Sequence, residues 1–226
     1  LLEASDGGPE SMARRVYEVR QNGTMTDAVR SPRPDQQPGT ARVLAGRVVT
    51  PDGVLDDGVV AVRDGLVAWV GPRAEAAAVG FPEVPAGDGA TLLPGLVDVH
   101  DHGGGGSSFP DATSAAEALG GAREHLRHGT TSLVASLVTA PRDVLLARAA
   151  TLADLAEAGE IVGIHLEGPF LSEVRCGAQN PHDMLDGDPE LVRAIAAAAR
   201  GHLRTMTVAP EVPGVVGPGG VLETLV

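Results

Sequence analysis

Two short stretches hold the side chains that metal-assisted or acid–base chemistry uses. The first is "DVHDH", Asp98 to His102. Side chains alternate along a strand, so Asp98, His100 and His102 are expected on one face. Val97 and Val99 then point the other way, towards covering helices. Two imidazoles two residues apart near a strand end can grip a divalent ion; the plain alternative is a solvated histidine pair with no ligand. Gly103 to Gly106 follow and let a loop or ligand approach closely. The second stretch is "HLEGP", His165 to Pro169. His165 and Glu167 share a face, and the strand breaks at Gly168-Pro169. A carboxylate at the mouth of a core strand is costly unless something pairs with it. For Glu167 the alternative to a metal is a salt bridge or a helix cap. His100, His102 and Glu167 together supply two nitrogens and an oxygen, an open ligand set for a borderline divalent ion. Such an ion acidifies water and so favours hydrolysis.

Other polar residues read as structural. His125 and His128 fall near the end of a helix, where a cation suits the helix dipole. His182 and His202 read as surface, and Glu211 as a supporting or plain loop carboxylate. Cys176 lies beside Arg175, which favours thiolate, but no partner base is visible. "HGGGGSSF" lacks the Lys of a phosphate-cradling loop.

These residues need elements to place them. From Ala41, Val-rich runs separated by turns describe a small β-module over residues 41–92, with Asp64-Gly65 a two-residue hairpin turn. From residue 93, apolar strands (131–139, 161–166, 203–211) alternate with helices. Ser114 and Glu117 form a capping box for a helix stopped by Gly129. A second helix runs from Pro141 to Ala158, and a third is capped by Asp188 with Pro189 in its first turn. This alternation means a parallel sheet. A closed (β/α)₈ barrel takes about 250 residues, so residues 93–226 make roughly half of one, about four of its eight strands. In such an isolated half-barrel Val134 and Leu137 are expected to face water or another chain. Residues 1–40 contain the linker-like "RSPRPDQQPGT" and are expected to be disordered or upstream of the domain. The first residue is Leu and "VLETLV" ends within an apolar segment, so a truncated chain is expected.

Composition narrows the class. The net charge of −13 argues against nucleic acid as a partner. All 17 basic residues are Arg, so a carbamylated-lysine metal bridge is unavailable. One cysteine excludes an internal disulfide and fits a reducing compartment. No run approaches the ~18 apolar residues of a membrane span, and the first residues are too polar for a secretory signal; a cytoplasmic protein is expected.

"LLPGLVDVHDHGGGG" resembles the first barrel strand of the amidohydrolase superfamily. "GIHLEGPFLS", "GAQNP" and "TMTVAPE", in this order, resemble the N-acetylglucosamine-6-phosphate deacetylase family over about residues 41–211. The resemblance implies a metal-dependent (β/α)₈ barrel with a small β-sandwich module. It implies hydrolysis of the acetamide of N-acetyl-D-glucosamine 6-phosphate. It implies Glu167 as a metal ligand and His100 and His102 as ligands of a second ion in members that keep this pair, so one or two ions per subunit; nitrogen and carboxylate donors suit zinc or ferrous iron. Ala178 and Gln179 take the sugar-contacting positions, where Gln179 departs from the histidine often found. Further ligands and the acid–base Asp are expected beyond Val226, and a homodimer is expected for the full-length form. The rival readings are another metal amidohydrolase acting on a cyclic amide, and a non-catalytic half-barrel.

Overall fold

The structure, a computed structural model, describes residues 41–226 and, before them, the backbone of two strands, β1 (Val16–Val19) and β2 (Met25–Asp27). The rest of residues 1–40, where disorder is expected, lies outside the described residues. The chain divides into two units, residues 1–96 with 127–131, and residues 97–126 with 132–226.

In the first unit β3 (Ala41–Thr50), β4 (Gly53–Arg63) and β5 (Leu66–Pro72) form an antiparallel meander. The β4–β5 turn is the expected one. Arg63 pairs with Leu66, and both intervening residues have positive φ, Asp64 at 52° and Gly65 at 78°. That backbone matches the twist of the flanking strands. Central strand β4 is buried on both faces: Val60 and Val62 pack with Val48 and Leu92, while Val59 and Ala61 pack with Ala76 and Phe81. β6 (Thr91–Pro94) runs parallel to β3, and β1 and β2 extend the same six-stranded sheet in the order β2-β1-β6-β3-β4-β5.

The second unit is built on a four-stranded sheet, β12-β11-β10-β7. Its strands are β7 (Leu96–Asp101), β10 (Thr130–Leu137), β11 (Gly163–Glu167) and β12 (Leu203–Thr207). The pairs β10–β11 and β11–β12 are parallel. A two-residue ladder, β8 (Gly103–Gly104) with β9 (Ser107–Ser108), follows β7. Helices α1 (Ala115–Arg127), α2 (Arg142–Glu157) and α3 (Pro189–Ala198) lie between the strands in sequence, and α4 (Val221–Leu225) ends the chain. Asp188 Oδ1 accepts from the N–H groups of Glu190 and Leu191, so α3 starts where expected. The α1 cap differs in detail: Ser114 Oγ accepts from Glu117 N, but the Glu117 carboxylate takes the N–H and hydroxyl of Thr113.

One core joins sheet and helices: Leu133, Ala135 and Leu137 of β10 and Ile164 and Leu166 of β11 pack with Leu145, Leu152 and Ile195. The opposite residues of these strands, Ser136, His165 and Glu167, are left for the other face.

Two expectations change. Val134 and Leu137 are buried, whereas Val97 and Val99 are 67% and 62% exposed. β7 is an edge strand of its sheet, and among the described residues no helix covers these valines. The strand 203–211 ends at Thr207; Ala209 N turns to Phe170 O, and Pro210 has no N–H to continue a ladder.

Candidate metal centre

The ends of β7 and β11 bring His100, His102 and Glu167 together. His100 Nε2 and His102 Nε2 are 3.1 Å apart, and Glu167 Oε2 lies 3.1 Å from His102 Nε2 and 3.5 Å from His100 Nε2. Three vertices of a tetrahedron around a divalent ion with bonds of about 2.0–2.1 Å are about 3.3–3.4 Å apart. The triangle of donor atoms therefore has the size that such an ion requires. The tautomer fits as well. His102 Nδ1 is 3.2 Å from Ser136 O, to which it donates, which leaves Nε2 as the nitrogen that faces the cluster. The side chains of His100 and His102 remain 47% and 38% exposed, leaving an open side.

Asp98 is not part of this cluster. Its Oδ1 accepts from His100 N at 3.1 Å, and its carboxylate groups with Asp101 and His125. His165 sits under the cluster and is 3% exposed. Its Nδ1 meets Ser136 Oγ at 2.9 Å, its Nε2 meets Thr207 Oγ1 at 2.8 Å, and its ring packs edge-on against His100. Burial first, and then the neighbouring His100 ring, push its pKa below the ordinary histidine value. His165 is thus a neutral, hydrogen-bonded support, and both its nitrogens are used within the protein.

A cleft of about 470 Å³ opens beside the ligands, lined by His102, Thr139, Glu167, Cys176, Ala178 and Gln179 among others. Gln179 bridges two of its walls. Its Oε1 accepts from Thr139 N at 2.8 Å and its Nε2 donates to Glu167 Oε2 at 2.9 Å. The N–H of Thr139 can only donate, which fixes the orientation of the amide. Cys176 borders the cleft with its thiol 3.8 Å from Gly177 O. Glu211 and His182 are exposed and lie outside the ligand cluster.

Ser136, Thr139 and Thr207 escape a reading of the sequence alone. Their signal is a hydroxyl near the C-terminal end of a strand, at or beside the register of His165 and Glu167: Ser136 pairs with His165 and Thr207 with Glu167. His125, expected to serve the helix dipole, instead faces Asp101 at 2.9 Å.

A parallel sheet that gathers two imidazoles and a carboxylate at its strand ends, beside a loop-lined cleft, defines the chain as an α/β protein with a ligand set suited to a divalent ion. Residues 91–225 match the amidohydrolase family, and the chain belongs to it. It is 33% identical over 172 residues to an N-acetylglucosamine-6-phosphate deacetylase of Bacillus subtilis, covering 73% of this chain and 43% of that protein. It is 29% identical over 176 residues to an N-acetylgalactosamine-6-phosphate deacetylase of Escherichia coli O157:H7, covering 75% and 44%. A solved Mycobacterium smegmatis N-acetyl-D-glucosamine-6-phosphate deacetylase variant, in complex with N-acetyl-D-glucosamine 6-phosphate, superimposes with a TM-score of 0.68 at 40% identity, covering 78% of this chain and 45% of that one. The chain thus spans less than half the length of each of these relatives. Among the described residues, no helix is long and apolar enough to cross a membrane.

Proposed function

We propose that the chain carries the metal-binding end of a deacetylase that hydrolyses the acetamide of N-acetyl-D-glucosamine 6-phosphate. Water adds across the C–N bond, giving D-glucosamine 6-phosphate and acetate. The observation that carries the reading is the convergence of His100 Nε2, His102 Nε2 and Glu167 Oε2 at the head of the cleft formed by the 175–180 loop. The names of the relatives support the substrate class.

In this reading His100, His102 and Glu167 hold zinc or ferrous iron, one or two ions per subunit. The chemistry that a divalent ion supplies there when bound is Lewis-acid polarisation of the amide carbonyl and acidification of water. The chain's own residues set the stage. Ser136 O orients His102, His165 supports the His100 ring, and Gln179 turns Glu167 Oε2 towards the histidines. Ala178 and the second amide hydrogen of Gln179 border the space for the sugar. We assign the acid–base role to no residue of this chain. The four-stranded sheet is read as half of a (β/α)₈ barrel, the six-stranded sheet as its small β-sandwich module, and the whole protein as a cytoplasmic homodimer.

The test is acetate release by the full-length protein that carries this chain, with zinc or ferrous iron supplied. N-acetyl-D-glucosamine 6-phosphate and its galactosamine epimer are compared. Preference for the glucosamine substrate is expected. Preference for the epimer would keep the reaction and change the substrate, and release from neither would overturn the proposal.

A further inference from the structure

A second group of ionisable side chains lies beside the ligand cluster. Asp98, Asp101 and His125 bring their ligand-type atoms within 4.8 Å of one another. Hydrogen bonding argues against a cation there. His125 Nε2 faces two acceptors, Asp101 Oδ2 at 2.9 Å and Gly103 O at 3.2 Å. A nitrogen placed between two oxygens carries a hydrogen, not the lone pair a metal needs.

What this arrangement does hold is the backbone between the two histidines. Asp101 is the residue between His100 and His102. Its Oδ1 accepts from Gly103 N at 2.7 Å, its Oδ2 accepts from His125 Nε2, and its own N–H donates to Ser136 Oγ at 3.0 Å. The Asp101 side chain is only 11% exposed. His125 is carried by α1, which is anchored through buried Ala118, Gly121 and Ala122. The loop is pressed against that helix. A Cβ added to Gly104 would lie 2.7 Å from His125 Nε2, and one added to Gly121 would lie 3.3 Å from Gly103 Cα. Any shift of His125 is therefore transmitted to Gly103 and Gly104, directly after His102.

We propose that Asp101 and His125 are positioning residues, a clamp from α1 that fixes the backbone between His100 and His102 and so sets the metal affinity of the ligand cluster. The proposal rests on the metal-site reading above. Neither residue touches a donor atom of the cluster; they act through the placement of His102.

The test is cobalt(II) binding to the full-length protein, followed by visible absorption, which reports both affinity and coordination. His125→Leu removes the donor and should weaken cobalt binding about tenfold, the lower end for outer partners of a metal site, and alter the absorption band. His125→Gln places an amide N–H near the position of Nε2 and should restore most of the affinity. In a His102→Asn background, His125→Leu should cause no further loss, because the clamp acts through His102. Unchanged affinity and spectrum in His125→Leu would overturn the clamp alone. So would a His125→Gln variant as weak as His125→Leu, or a full additional loss in the His102→Asn background. If His125→Leu does not fold, Asp101→Asn takes its place with the same expected loss. A parent protein that binds no cobalt would overturn the metal reading and the clamp with it.

Discussion

Replacing Gln179 with Ala breaks two hydrogen bonds at once, and their partners decide what is lost. One bond satisfies Thr139 N, on a buried residue; it is a neutral bond of about 1 kcal/mol. The other is a 2.9 Å bond to the Glu167 carboxylate, whose side chain is 24% exposed. Bonds to charged groups contribute about 1.5–3 kcal/mol, but here water from the cleft can replace part of it. A loss of about 1–2 kcal/mol in the orientation of Glu167 is therefore expected. At about 1.4 kcal/mol per tenfold, metal affinity falls roughly 5- to 30-fold. A direct sugar contact by Gln179 would instead raise the Michaelis constant several-fold and leave metal affinity in place. Competition of the metal-loaded full-length protein with a chelator measures the first quantity, and steady-state kinetics under metal-replete conditions measures the second. A Gln179→Ala variant that holds metal within twofold of the parent would show that the Gln179 bond does not orient Glu167.

Glu167→Ala removes the only anionic donor of the cluster and should abolish tight metal binding; undiminished metal by elemental analysis would sink the ligand assignment. Replacing both His100 and His102 with Asn should remove one of two equivalents if the site is binuclear, and a parent holding one equivalent under replete conditions would rule that out. The Glu117 carboxylate has its pKa lowered from 4.5, first by the Thr113 N–H and then by the Thr113 hydroxyl. A depressed folded-state pKa means stability present above the unfolded value and lost as pH falls through the folded one. The melting temperature of Glu117→Ala should therefore lie below that of the parent at neutral pH and converge on it in acid below 4.5; a gap that persists in acid would contradict this. Residues 1–226 on their own present Val97 and Val99 on an edge strand and should self-associate. Lys at both positions should shift sedimentation towards monomer, and a parent that is already monomeric would show the face to be harmless.

Local chemistry makes much of this protein legible in its sequence. Asp64-Gly65 specifies its hairpin because both residues tolerate positive φ. Asp188 and Pro189 mark the start of α3 because caps act within one turn. Strand alternation places His165 and Glu167 on one face, and the glycines after His102 leave room near the ligands. The tertiary structure alone decided the partners. Asp98, on the ligand face by alternation, bonds instead to the backbone N–H of His100 and groups with Asp101 and His125. His165 spends its nitrogens on Ser136 and Thr207, residues 29 and 42 positions away, and Gln179 reaches Thr139 and Glu167 across 40 and 12. His125 leaves its expected role at the helix end because α1 packs against the Gly103–Gly104 ladder and delivers its ring to Asp101. Such pairings depend on strand register and helix docking, which are set by the burial of Leu137, Leu166, Leu145 and Leu152 in one core. A periodicity of two or 3.6 residues tells which face a side chain occupies; only the packed sheet tells what waits on that face.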